Sequence, residues 1–322
     1  MRIALIGAGS WGCALAAVLL EKGHTLRWWV HSAPIADQLG RSGRHPFIFP
    51  DKTFPLAQLE WVGMELEQAL QDAEAVVLAL PSRYVEPVLR EAPKLEGFWV
   101  SCTKGLLPNP PRRPTTYLQA RGVRDFAVLS GPSHAEEVIE RRPTWVAVAA
   151  SDPTRYATLE ALFASPYFAL LPTSALEALE WVGVLKNIYA IGMGVVSLWG
   201  DNARAALAAA ILRELQEVLT EWVPQERIPF LSPGWAGDFL VTAFSAYSRN
   251  QRLGQLLAQG YSPSAALQKL GMVAEGYYAA QSLEGLVKLE RFPFLRAIVA
   301  VLRGDSPPAS LGAAVRETLA RP

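Results

Sequence analysis

Lys186 sits in Gly183-Val184-Leu185-Lys186-Asn187, with Trp181, Val182, Ile188, Tyr189 and Ile191 around it. A lysine in so apolar a stretch has two readings. Its stem can snorkel the ammonium out to water, or the amine is held dry, its pKa falls and it exchanges a proton near neutrality. Lys104, in Cys102-Thr103-Lys104-Gly105, follows a predicted strand; it is either a solvated loop lysine or a cation aimed at a ligand. Asp238 follows Gly237 and could be a helix cap or a partner for a cation. Ser248-Arg249-Asn250 offers a hydroxyl, a bidentate fork and an amide. Those groups suit a phosphate monoester, although a capped helix start would use the same residues.

A fourth constellation lies at the N-terminus. The apolar run Ile3 to Ile6 is followed by Gly7, Gly9 and Gly12 and then by a helix-like stretch. Gly7 permits a tight turn, Gly9 lets a pyrophosphate approach the backbone, and Gly12 lets helix and strand pack closely. The helix N-terminus then faces the anion, which makes this a dinucleotide site.

Strand-like segments, separated by helical stretches, have to position these residues: Arg2 to Ile6, Thr25 to Val30, Ala75 to Leu80, Phe98 to Cys102 and Ala127 to Ser130. That alternation predicts an open, mainly parallel α/β sheet covered by helices. Thr144 to Ala149 and Tyr167 to Leu171 extend it, in mixed orientation. Ligands of such sheets bind beyond the carboxyl ends of the strands. Pro81-Ser82, Cys102 to Gly105 and Ser130 to Ala135 stand there. Residues 42–55 are rich in turn formers and read as a mobile loop.

From Ser174 onward the chain turns to long Ala- and Leu-rich periodic stretches, predicted as helices over 175–198, 202–222, 263–270, 274–288 and 294–302. Ser174 with Glu177 has the spacing of a capping box. The expected division is therefore a dinucleotide-binding domain over 1–173 and an all-helical domain over 174–322.

Lys plus Arg and Asp plus Glu balance at 30 each, and 51% of residues are hydrophobic. That balance argues against a nucleic-acid surface. No signal-peptide pattern and no long uninterrupted apolar run are evident, so a cytoplasmic protein without a membrane span is expected. Cys13 and Cys102 show no CxxC spacing, and His24, His31, His45 and His134 are dispersed, so no metal is expected.

Together, IGAGSWG at 6–12, TKG at 103–105, SGPSHAEEV at 130–138, GVLKNIYAIGMGV at 183–195, GDNARAAL at 200–207, GDFLVT at 237–242, SRN at 248–250 and AEG at 274–276 resemble the bacterial NAD(P)-dependent sn-glycerol-3-phosphate dehydrogenases. The resemblance implies a Rossmann-type domain followed by a helical one, and interconversion of dihydroxyacetone phosphate and sn-glycerol 3-phosphate for phospholipid synthesis. It also implies a homodimer. By position, Ser10, Trp11, His31, Ala135, Val273 and Glu275 would join the glycine turn in binding NAD or NADP, with Lys104 and Arg249 reaching the cofactor as well. Lys104, Gly131, Ser133, Lys186, Asp238, Ser248, Arg249 and Asn250 would contact the substrate. Lys186 would be the acid/base, aided by Lys104 and Asp238.

The chain departs from the pattern in several places. No acid follows the second strand at Trp29-Val30-His31-Ser32, where a carboxylate would bond the ribose of NAD, so either cofactor is allowed. Ser232 to Ala236 and Tyr277-Tyr278 also differ from family habit. Two other readings share these features: a 3-hydroxyacid or ketopantoate-type reductase, which needs no phosphate clamp, and a non-catalytic nucleotide sensor.

Overall fold

The computed structural model describes residues 1–92, 94–283 and 286–321. The chain divides into two compact units, one formed by residues 1–103 with 114–176 and the other by 104–113 with 177–322.

The strands are β1 (Arg2–Ile6), β2 (Thr25–Trp29), β3 (Leu59–Gly63), β4 (Ala75–Leu78), β5 (Phe98–Ser101), β6 (Leu107–Pro108), β7 (Pro111–Arg112), β8 (Phe126–Ser130), β9 (Thr144–Ala150) and β10 (Phe168–Pro172). In the first unit eight of them make one sheet in the order β10-β9-β8-β5-β4-β1-β2-β3. Central strands such as Ala75–Leu78 are apolar on both faces and fully buried, as parallel strands covered by helices must be. Pairing is parallel throughout except between β8 and β9, which gives the mixed edge expected. The sequence pattern passed over β3. Its partly exposed Leu-Glu-Trp-Val-Gly is an edge strand without a continuous apolar run.

Helix Ser10–Glu21 follows β1, and its residues Gly12 to Leu20 are buried. The 42–55 segment is not a free loop. Phe54 N–H donates to the Gly43 carbonyl (2.7 Å), and the buried His45 ring accepts from the Phe47 and Ile48 amides at 3.1 and 3.0 Å. Gly43, Phe54 and His45 thus close the segment with bonds that composition could not show.

The second unit is helical, with the small hairpin β6–β7 added to it. Its central helix, Leu176–Val195, is buried on nearly every face from Ala178 onward. The stretch Leu176–Trp199 has the length and mean hydropathy (1.4) to cross a membrane, but it is largely buried, as a core helix is. It begins one residue later than predicted, and from Val196 it tightens into a 3₁₀ turn. Its cap is also different from the expected Ser174–Glu177 box. The Glu177 and Ala178 amides donate to the Glu226 carboxylate at 3.0 and 2.8 Å, while the Glu177 carboxylate takes Arg113 at 2.7 Å. A remote carboxylate at the positive end of the helix does what the local box would have done.

Asp201–Trp222, Pro263–Leu270 and Pro293–Arg303 match predicted helices. The one expected over 274–288 runs only from Glu275 to Leu283; residues 284–285 lie outside the described residues, and 286–288 are not helical. Asp238–Phe244, Arg249–Ala258 and Leu311–Ala320 are further helices that periodicity did not single out. Leu176–Val195 and Arg249–Ala258 cross at glycines. A Cβ on Gly254 would lie 2.8 Å from the Gly194 Cα, so the backbones meet where only glycine fits.

Candidate active site

The chemistry of the second unit converges on Asp238. A one-turn π-helical segment, Pro233–Gly237, feeds directly into helix Asp238–Phe244. Asp238 is therefore the first helical residue, with Gly237 in the cap position, and its side chain is completely buried. The carboxylate faces two ammonium groups. Oδ1 accepts from Lys186 Nζ, and Oδ2 accepts from Lys104 Nζ at 3.3 Å. The capping reading of Asp238 gives way to an ion-pair role.

Lys186 does not snorkel; its side chain is 5% exposed. Besides Asp238 it donates to Thr242 Oγ1 at 3.1 Å, and the Thr242 hydroxyl donates to the Asp238 carbonyl at 2.6 Å. Thr242 escaped the sequence reading. Its signal was its place in Gly-Asp-Phe-Leu-Val-Thr, four residues after Asp238 and so on the same helix face. Burial pushes the Lys186 ammonium down from 10.5 to about 7. Asp238 opposes the shift, and the positive charge of Lys104 adds to it. Lys104 is more open, at 21% exposure.

Asn187, one residue on, starts a chain of amides. Its Nδ2 donates to the Gly183 carbonyl (2.9 Å), its Oδ1 accepts from Asn250 Nδ2 (2.9 Å), and Asn250 Oδ1 accepts from the Gly276 amide (3.0 Å). This fixes which end of each amide faces which neighbour. Ser248 Oγ accepts from the Gln251 amide at 3.2 Å and so caps helix Arg249–Ala258. The capping and anion readings of the triplet are compatible here, because a capping hydroxyl still has its own hydrogen to donate. Arg249 is partly exposed at the first turn. Val273 and Glu275 flank the buried Ala274 and are partly exposed, next to the Asn250–Gly276 bond.

The first unit holds the other residues. Gly7 has φ of +117°, and a Cβ there would lie 2.7 Å from the Ala79 carbonyl. Gly12 packs directly on the Gly7 peptide, whereas nothing lies within 4 Å of where a Cβ on Gly9 would stand. The three glycines thus do separate things: turn, open approach and close packing. Helix Ser10–Glu21 has no side-chain cap at Gly9. A helix N-terminus without a capping side chain behind an open glycine fits a dinucleotide phosphate.

Trp11 packs on the core beside Ser10 at the start of this helix. His31 is exposed just past the end of β2. At the end of β8, Gly131 has φ of +157° and no room for a Cβ against Val146. Ser133 Oγ donates to the Gly131 carbonyl at 3.0 Å, and Ala135 opens the short helix Ala135–Ile139. These residues lie at or beyond strand ends of the first unit, and the lysines, Asp238 and the Ser248 triplet lie in the second.

A doubly wound sheet with a dinucleotide turn, followed by a helical unit with a buried lysine–carboxylate pair, is the build of a nicotinamide-dependent dehydrogenase. Residues 2–156 match the N-terminal part, and residues 176–313 the C-terminal part, of NAD-dependent glycerol-3-phosphate dehydrogenase. The chain belongs to that family. Among its relatives, a glycerol-3-phosphate dehydrogenase [NAD(P)+] from Bacillus cereus (strain AH187) is 33% identical over 312 residues, covering 94% of this chain and 91% of the relative. The crystal structure of glycerol-3-phosphate dehydrogenase from Coxiella burnetii superposes with a TM-score of 0.88 at 28% identity, covering 99% of each chain. The yeast enzyme, at 22% identity and a TM-score of 0.81 over 98% of this chain and 99% of its own, shares the fold.

Proposed function

We propose that this protein interconverts dihydroxyacetone phosphate and sn-glycerol 3-phosphate using NAD or NADP, with Lys186 as the group that gives and takes the proton. The observation that carries the reading is the Lys186–Asp238–Lys104 cluster, in which burial brings a lysine down to about 7. An acid/base works best with a pKa near the working pH.

A dinucleotide with its phosphates at the glycine turn would supply the hydride in one direction and accept it in the other through its nicotinamide ring. Residues 1–173 hold the dinucleotide: Gly7, Gly9 and Gly12 shape its phosphate seat, and Ser10, Trp11, His31 and Ala135 line it. By resemblance to the family Val273, Glu275 and Arg249, all within 174–322, are cofactor residues as well. Gly131 and Ser133 contact the substrate.

In reduction, charge develops on the carbonyl oxygen, and the Lys186 ammonium donates a proton to it. Lys104 stabilises the same charge, while the Asp238 carboxylate orients both amines and favours the cationic form of Lys186, whose lost proton is replaced from solvent. Ser248, Arg249 and Asn250 hold the phosphate at the N-terminus of helix Arg249–Ala258, where backbone amides and the guanidinium both favour an anion. That remote grip positions the carbonyl for transfer.

In the cell the enzyme is a cytoplasmic homodimer that feeds phospholipid synthesis. The test is oxidation of NADH and of NADPH with dihydroxyacetone phosphate and with unphosphorylated keto acids. Turnover confined to the phosphorylated triose is expected; equal turnover of a keto acid such as ketopantoate overturns the assignment.

A further inference from the structure

Among the described residues, the Gly7 carbonyl takes a donor from outside its own segment. It lies in the turn between β1 and helix Ser10–Glu21, where the helix's own bonds begin only with Cys13 N–H to the Gly9 carbonyl. Its donor is the indole of Trp28, which is fully buried on β2, 2.9 Å away and 21 residues along the chain. Phe54 fixes that indole in turn by packing edge-on against it, with ring centroids 5.2 Å apart, and Phe54 is tied to Gly43 through its amide. One line of contacts therefore runs from the closed 43–54 segment through Phe54 and Trp28 to the turn itself.

The electrostatics give this bond a consequence beyond stability. A peptide carbonyl is the negative end of its dipole, and a pyrophosphate is an anion. A Gly7 carbonyl rotated outward would oppose the anion that the amides at the start of the helix attract. The Trp28 N–H keeps that oxygen turned into the core. Gly12 packs on the Gly7 peptide with no room for a Cβ, so the orientation of one peptide also sets where the helix N-terminus stands.

We propose that Trp28 is a positioning residue for the dinucleotide, holding the Gly7 peptide through its indole N–H so that the glycine turn presents amides rather than a carbonyl to the phosphates. This rests on the reading of the glycine turn as the cofactor site.

The neighbouring Trp29 provides a matched control. Its indole donates to the Met64 carbonyl at 2.7 Å, away from the Gly7 carbonyl, and its one bond to the turn, from the Gly7 amide to the Trp29 carbonyl at 3.1 Å, is a backbone bond that a side-chain substitution keeps. Calorimetric titration with NADH and NADPH separates the two roles. Trp28→Phe, which loses the N–H with the pyrrole half of the indole and keeps one aromatic ring, is expected to bind both cofactors roughly tenfold more weakly, the size of one hydrogen bond lost from a buried carbonyl. Trp29→Phe loses a comparable bond and is expected to bind within about twofold of the parent while melting at a similarly lowered temperature. Cofactor affinity of Trp28→Phe within about twofold of the parent, or an equal loss in Trp29→Phe, overturns the proposal. If Trp28→Phe does not fold, β-(3-benzothienyl)alanine incorporated at position 28, which keeps the bicyclic shape without the N–H, carries the same expectation. A parent protein that binds neither nucleotide refutes instead the cofactor-site reading beneath it.

Discussion

Lys186 and Asp238 form a buried ion pair, with side chains 5% and 0% exposed, although 52 positions separate them in the chain. A buried pair of this kind is weak evidence for stability, because desolvation offsets much of the attraction. Here the carboxylate is shared with Lys104, and one amine is left with a pKa near the pH at which it would work.

Replacing Lys186 with Met therefore removes the proton donor while Asp238 keeps Lys104 as its partner. Turnover is expected to fall by about a hundredfold or more, with calorimetric affinity for NADH unchanged. Near-parental turnover would remove Lys186 from the chemistry.

The same shift sets opposite pH profiles for the two directions. Reduction needs the ammonium, so its kcat should decline as pH rises through about 7; oxidation needs the neutral amine and should rise through the same region. Steady-state assays across that range in both directions check this, and parallel profiles contradict it. Lys104→Gln, which removes a neighbouring positive charge, should move both midpoints upward.

Gly276 is where the helix Glu275–Leu283 meets the amide chain. A Cβ there would lie 2.6 Å from the Asn187 carbonyl carbon and 2.9 Å from Ile191 Cδ1. Gly276→Ala must push that helix off the Asn187 backbone and lengthen the Asn250–Gly276 bond. A stability loss of about 2 kcal/mol is expected by urea unfolding, together with weaker substrate binding because Asn250 loses its fixed orientation. Parental stability would mean that the helix moves freely.

His24 supplies a pH dependence of stability. It lies within the first unit with Nε2 3.0 Å from the Ala161 carbonyl, and burial holds its pKa below the ordinary 6.5. The folded state thus binds its proton less readily than the unfolded chain. Its contribution is complete above 6.5 and is lost as pH falls through the lower folded value. Urea midpoints should drop between pH 7.5 and 5.5 by less in His24→Gln than in the parent; equal drops would assign the loss to other groups, among them the buried His45.

The glycine turn was legible in the sequence because three glycines at fixed spacing after an apolar strand mark a tight turn locally; the Trp28 indole that holds its Gly7 carbonyl, 21 positions away, was not. The alternating sheet segments were legible for the same reason, since apolar runs bounded by turn formers report their own burial. The edge strand Leu59–Gly63 was not, because a half-exposed edge carries little pattern. Nor was the cap of helix Leu176–Val195, because Glu226 reaches it from elsewhere in the fold. At the site, residue types singled out Lys104, Lys186, Asp238 and Ser248-Arg249-Asn250, yet left open whether Lys186 snorkels and whether Asp238 only caps. Packing decided both. The protonation balance of an amine depends on how dry it is and which charges stand beside it, and the fold brings Asp238, Lys104 and Thr242 to it from distant positions. Sequence alone determined the kinds of groups available; the tertiary structure decided which lysine is buried, and so which one can exchange a proton near neutrality.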